Sequence, residues 1–258
     1  MIRWVESQDT ALIALLVFAS CYALAALLFL GAAIISRRRL ALELKATSPV
    51  MLTPLGIIAG LLIAFLASRV WTNFDHAHAY VAAESTAIQK AVLLADALPP
   101  ADRSALRGAL RTYLHSVEAE DWPAMAKGRA GVQPLPPGLT AALGALLSFA
   151  PTTQGQYVAQ RRAVIAVEQT LDARRNRIML SNTAISAIQW LVIAVLVALI
   201  MVTVTMVHID RTVTVGVNLF IISTAVAACL VLLMAHDRPF AEGGLNVSLD
   251  AYHEIGVD

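Results

Sequence analysis

The residues whose types could do chemistry are few in this chain and poorly spaced for it. Asp75, His76 and His78 fall within four positions, and His115 stands apart from them. Imidazole beside carboxylate suits metal binding or proton transfer. On a helix, however, residues two apart point about 200° from each other, so His76 and His78 cannot close on one ion. They read as an interfacial polar collar, and no metal site is expected. Arg103, Arg107 and Arg111 recur at every fourth residue. Such a stripe either draws anions or forms a solvated face offset by Glu118, Glu120 and Asp121. Arg174, Arg175 and Arg177 form a second basic cluster, suited to lipid headgroups or to an anion vestibule. No glycine-rich phosphate loop, paired-cysteine zinc pattern or nucleophile-elbow serine occurs. The expectation is a protein with no catalytic residues and no cofactor, not an enzyme.

The elements that must hold these residues are set by four apolar stretches, Thr10–Ile35, Val50–Val70, Ile185–Val207 and Val213–Ala235. They are 26, 21, 23 and 23 residues long, and about 20 apolar residues cross a bilayer core as a helix. Arg69, the only charge inside them, lies at a span end, where its long side chain reaches the headgroups. A composition of 58% hydrophobic and 14% charged residues excludes an ordinary soluble domain. No charge lies at mid-membrane, which argues against a proton relay or an ion-coupled carrier. The two cysteines, Cys21 and Cys229, both fall in spans and cannot staple a soluble region. The first stretch is too long for a removable signal and runs into a basic stop.

Four crossings return the chain to its starting face. The layout is therefore a membrane hairpin over 1–70, an extramembrane segment over 71–184, a second hairpin over 185–235 and a tail over 236–258. Both termini and the insert share one side of the cell (inner) membrane, and insert and tail should touch. Trp4, Trp71 and Trp190 sit at span ends on that side, where amphipathic rings prefer to lie. The basic turn Arg37–Arg39 with Lys45 and Arg211 opposes the arginines flanking the insert, so charge leaves the orientation open.

The insert reads as helices. Ala77, Tyr80, Val81, Glu84, Ile88, Ala91, Val92 and Ala95 follow the three-four spacing of one face. Pro99-Pro100 ends that helix, and Asp102 is placed to cap the next, which carries Leu106, Leu110, Tyr113, Leu114 and Val117 and stops at Trp122-Pro123. A loop over Gly128–Gly138 and a short apolar segment, Leu139–Phe149, follow. The last helix starts near Gln156, repeats Val164, Val167, Leu171 and Ile178, and is expected to run unbroken into the third span. Likewise nothing breaks the second span between Gly60 and Leu98. The fold class is thus an all-α integral membrane protein, with four transmembrane helices in two hairpins and a helical-bundle insert between the second and third spans.

Within the second span, Gly56 and Gly60 form a small-xxx-small pair that lets another helix approach closely. Ile58, Leu62 and Phe65 are expected on the opposite face of that helix, either facing lipid or forming an apolar constriction that gates by dewetting. Asn218, Ser223 and Thr224 in the last span line water or tie helices together. At its exit, His236-Asp237-Arg238-Pro239-Phe240 ends the helix at proline, with Asp237 free to pair and Phe240 free to wedge into the bundle.

Several separated motifs resemble the bestrophin-like bacterial membrane protein family. They are Trp71 after the second span, Glu84-Ser85-Thr86-Ala87, Leu98-Pro99 and Tyr113-Leu114. Glu120-Asp121-Trp122-Pro123-Ala124-Met125 resembles the family's Glu-Trp-Pro-x-Met signature with one inserted acid. The tail Asp237-Arg238-Pro239-Phe240, with Gly243 or Gly244 and Val247-Ser248, resembles its closing motif. More remotely, the chain is similar to the bestrophins, pentameric anion channels with a helical cytosolic region and an apolar neck on the second span. That resemblance implies a homo-oligomer in the lipid bilayer, a pentamer if the arrangement carries over, passing small anions past a neck at Ile58, Leu62 and Phe65. It implies no nucleic-acid partner. The acidic cluster that clasps calcium in animal bestrophins has no counterpart, since Asp250, Glu254 and Asp258 are widely spaced. The rival expectation is a non-conducting membrane sensor or scaffold whose helical insert binds a ligand or partner.

Overall fold

A computed structural model describes residues 10–35, 49–241 and 246–256. Trp4, Arg37–Arg39, Lys45, Gly243, Gly244 and Asp258 lie outside the described residues. Those described form helices and no strand. In order they are α1 (Thr10–Ile35), a 3₁₀ turn (Pro49–Met51), α2 (Leu52–Ala95), α3 (Pro100–Ser116), a π turn (Val117–Asp121), α4 (Trp122–Ala126), α5 (Pro137–Ser148), α6 (Gln154–Ser181), α7 (Ala187–Val207), α8 (Thr212–His236) and α9 (Asp250–His253). α1, α2, α7 and α8 are long and apolar enough to cross a membrane. The protein is an all-α integral membrane protein with shorter helices between its second and third spans.

α2 is one helix of 44 residues. At a rise of about 1.5 Å per residue it runs roughly 66 Å, about twice a bilayer core. Its second half therefore has to serve a different solvent from its first, and the chain divides into two compact units at Thr72.

One unit holds the described residues through Thr72 with Ala184–Asp237. Here α1 packs along α8. A Cβ added to Gly216 would sit 3.3 Å from the Phe29 ring, so the missing side chain allows the close approach. The Tyr22 and Thr224 hydroxyls lie 2.8 Å apart, and the Tyr22 ring stacks on Phe220. Thr224 is thus interhelical glue. On α7 the buried residues Trp190, Ile193, Val197, Met201 and Val204 keep helical spacing toward that pair. Trp71 stacks on His236 with ring centroids 5.2 Å apart. Nearby, the Ile185 amide donates to both Asp237 oxygens at 3.0 and 3.2 Å. The end of the second span, the entry of the third and the exit of the fourth therefore share one end of this unit.

The other unit holds Asn73–Thr183 and the described residues after Asp237. Its apolar core takes Ala77, Val81, Ile88, Ala91 and Val92 from α2, Leu106, Leu110 and Tyr113 from α3, and Leu139, Ala142 and Leu146 from α5. α6 adds Ala163, Ala166, Val167 and Ile178, and the tail adds Phe240, Val247, Tyr252 and Ile255. α3 and α5 cross in backbone contact at Gly138, where a Cβ would fall 2.5 Å from the Tyr113 nitrogen and 2.7 Å from the Ala109 oxygen. No other residue fits without moving a helix.

The structure corrects four expectations. α6 does not run into the third span: it ends at Ser181, and α7 starts afresh with a capping box in which Ser186 and Gln189 satisfy each other's amides. Asp102 does not cap α3; Pro99 holds the cap position and Asp102 lies in the first turn, where its negative charge complements the positive end of the helix dipole. The inward face of α6 is wider than the expected Val164, Val167, Leu171 and Ile178: Val167 and Ile178 are fully buried and Val164 and Leu171 half-buried against the core, but Ala159, Ala163, Ala166, Thr170, Arg174 and Arg177 are buried beside them. Small residues there let neighbouring helices come close. Finally, the basic cluster splits: Arg174 and Arg177 are buried in the bundle, and only Arg175 is exposed. Two acids inside the bundle hold them there.

Candidate functional site

The bundle closes around Arg177, whose side chain has no exposure at all. A bare buried guanidinium would cost several kcal/mol, so partners must surround it. Glu84, from the second half of α2 and equally buried, takes it in a two-pronged pair, with Nε to Oε2 at 2.7 Å and Nη2 to Oε1 at 3.1 Å. The Tyr113 hydroxyl of α3 donates to the same carboxylate. Asp121 receives Arg177 Nη2 at 3.3 Å and a second two-pronged pair from Arg174, both bonds at 2.8 Å. Two carboxylates thus balance two guanidiniums, and paired forks of this kind are the stronger class of ion pair.

Aromatic groups complete the enclosure. Arg177 lies over the rings of Trp122 and Tyr252, 5.7 and 5.9 Å from their centroids. Trp122 in turn meets Phe240 and Tyr252 edge-on. The Met125 sulfur accepts from Arg177 Nη1 at 3.2 Å. The Tyr252 hydroxyl is buried beside Glu84 without a well-formed hydrogen bond. Burial, reinforced by the Glu84 charge, pushes the Tyr113 and Tyr252 hydroxyls well above the ordinary tyrosine range. Burial alone would lower Arg177, but attraction to Glu84 prevails and keeps the guanidinium charged.

The π turn explains how Asp121 reaches this centre. One extra residue in a helix forms such a turn, and the Trp122 amide bonds back to the Val117 oxygen across it. The π turn takes in both acids of the Glu120-Asp121-Trp122-Pro123 run, with Asp121 turned inward and Glu120 exposed. Of the positions singled out by motif, Glu84, Tyr113, Trp122 and Phe240 converge here. Glu120 does not. Asp237 caps Ile185, Arg238 lies against Gly128, and the Pro239 carbonyl accepts from Val247 at 2.8 Å. Sequence reasoning missed Arg177, Arg174, Asp121 and Tyr252. Helical spacing from Ala163 and Thr170 could have put both arginines on the inward face.

Arg103 and Arg107 pair with Asp96, not with the acids of the π turn. His76 stacks on Tyr80 and His78 meets Phe74 edge-on. Among the described residues no group of three metal-ligating side chains forms. The charges around Arg177 are all paired, and the cluster ties α2, α3, α4, α6 and the tail together.

The second span is built differently. It is the least covered of the four, with 17% of its most apolar stretch buried against 22%, 33% and 28% for α1, α7 and α8. Ile58 and Phe65 are 53% and 72% exposed, and Leu61 is open beside them. Leu62 is half-buried against the apolar core of its unit. At Gly56 and Gly60 an added Cβ would meet nothing within 4 Å. The uncovered face runs Ile58, Leu61, Phe65, Ser68, Thr72, Asp75, Ala79, Ala82, Thr86, Gln89, all exposed at three-four spacing.

Four apolar spans, an inserted helical bundle and one long helix shared by both define a class of membrane protein built on the second span. The chain belongs to the bestrophin-like family, whose domain matches residues 17–252. The fold is similar to a crystal structure of a bestrophin homolog from Klebsiella pneumoniae carrying one substitution, at 14% identity and a TM-score of 0.72, covering 91% of this chain and 94% of that one. A second variant of that homolog aligns at 12% identity and a TM-score of 0.67, covering 92% and 93%. A crystal structure described only as a membrane protein aligns at 12% identity and 0.69, covering 90% and 94%. No curated protein matches the sequence.

Proposed function

We propose that copies of this chain assemble into a ring whose axis is lined by the exposed face of α2, forming a pore for small anions. The observation that carries the reading is the uncovered stripe of α2 in a bestrophin-like chain. A large apolar face on one helix of a four-helix unit needs lipid or other copies against it, and Gly56 and Gly60 leave room for a neighbouring backbone. Ile58, Leu61 and Phe65 then form the apolar constriction, with Leu62 behind them, and the small and polar residues beyond Ser68 line a wetter passage. Asp75 is the one carboxylate on that stripe through Gln89 and favours cations instead, so reversal potentials in asymmetric salt decide the sign of the permeant ion.

The test is purified protein in liposomes, with subunit number counted in the same preparation. The reading expects ion flux and a ring large enough for an axial channel. A monomer or dimer without flux overturns it. A second reading, a scaffold that binds a partner, is favoured by one observation: an open groove of about 530 Å³ between the bundle half of α2 and α6, lined by Tyr80, Thr86, Lys90, Gln169, Asp172 and Asn176. A stable co-purifying protein displaced by Lys90→Glu, with no flux, would select that reading.

A further inference from the structure

The loop after α4 carries Lys127 and Arg129 on either side of Gly128, which adopts φ +60. Both side chains are exposed and neither makes an ion pair among the described residues. In sequence they lie more than fifty residues from the nearest span, so nothing in the chain order associates them with lipid. Two tethers do. The Asn182 side chain donates to the Ala130 oxygen at 2.9 Å, and Asn182 stands only five residues before the first residue of α7. Arg238, two residues after the end of α8, brings its Nη2 to 3.2 Å from where a Gly128 Cβ would lie. Five residues of fully extended chain span at most about 18 Å, and two about 7 Å. Chain length alone therefore confines this loop to the neighbourhood of two membrane entry points. Arg174 pins its far side through the Val132 oxygen at 3.2 Å. Arg175, exposed and without an ion pair among the described residues, stands seven residues before Asn182, on the same side of α6.

We infer that Lys127, Arg129 and Arg175 form a juxtamembrane collar that binds the phosphate headgroups of anionic phospholipids. The headgroup contact expected of the Arg174–Arg177 run is thus made by Arg175 of that run together with cations from a second part of the chain. Arg174 and Arg177 serve the bundle, and a loop far away in sequence supplies the replacements. Near a membrane surface each such side chain contributes about a fivefold change in affinity for anionic lipid, an attraction that salt screens.

The experiment is native mass spectrometry and thermal unfolding of the full chain in phosphatidylcholine, with and without phosphatidylglycerol. Wild type is expected to retain phosphatidylglycerol preferentially and to melt higher with it. Lys127→Gln/Arg129→Gln should lower that preference by more than tenfold while melting unchanged in phosphatidylcholine alone. Arg161→Gln, an exposed change far along α6, should leave it intact. Equal retention of both lipids by wild type overturns the inference, as does an undiminished preference in the double variant. So does displacement of the lipid by inorganic phosphate at matched concentration, which would mark a site for free anions. None of these readouts depends on conduction, so a protein that passes no ions can still satisfy them.

Discussion

The bundle and the membrane unit solve the problem of cohesion in opposite ways. The bundle buries four charges, Glu84, Asp121, Arg174 and Arg177, and satisfies them with one another and with Tyr113. The membrane unit ties its helices by close contacts and single polar links such as Tyr22 with Thr224. Among the described residues it leaves the Trp190 Nε1 and Ser223 Oγ buried without hydrogen-bond partners, as the bundle leaves the Tyr252 Oη. Water rewards burial of apolar surface, and that driving force is large enough to carry a costly charged clasp that fixes register. Lipid offers no such reward, so helix pairs there rest on shape and on whatever covers their outer faces. The exposed face of α2 follows from this difference.

Breaking the clasp should produce the largest effect. Arg177→Leu leaves Glu84 buried with an unbalanced charge and is expected to destabilise the bundle by about 3–5 kcal/mol, read by denaturation followed by intrinsic tryptophan fluorescence. Glu84→Leu/Arg177→Leu should recover more than half of that loss, because no lone charge remains. If the double variant is as weak as the single, the cluster is not coupled as described. Next in size is Gly138→Val, which drives a side chain into the Tyr113 backbone and should cost about 3 kcal/mol.

Asp237 sharpens the contrast from the membrane side. Asp237→Ala removes the cap on Ile185 and should cost about 1 kcal/mol. Arg107→Ala, which loses a surface pair with Asp96, should change stability by less than about 0.5 kcal/mol. Indistinguishable melting of the two variants would remove the distinction. The smallest effect is alkaline. The folded-state ionisations of Tyr113 and Tyr252 lie above those of the unfolded chain. The stability they contribute is therefore fully present below pH of about 10 and lost as pH rises through the folded values. Tyr113→Phe should flatten part of that alkaline loss; an unchanged pH profile would contradict it.

Much of the fold was legible because lipid imposes a simple pattern. Thr10–Ile35 and Ile185–Val207 are spans by length alone, and the absence of a breaker after Gly60 foretold a second span continuing into the bundle. The family motifs marked Glu84, Tyr113, Trp122 and Phe240, yet not why they belong together. Arg174 and Arg177 were misread because a basic run beside a span resembles a headgroup anchor until the two facing acids are known. Asp121 was hidden by the π turn, which shifts every residue after it by one position around the helix. Tyr252 carried no local signal, since its role is defined by the ring of Trp122, 130 residues away.

The most direct test of the open α2 face is thiol modification during flux. Liposomes carrying Phe65→Cys should lose ion flux on addition of a charged thiol reagent, as should Ile58→Cys. Wild type and Ile188→Cys, a comparably exposed position on α7, should be unaffected. Block at Ile188 with none at Phe65 or Ile58 would mean that the second span faces lipid and that the passage, if there is one, runs elsewhere.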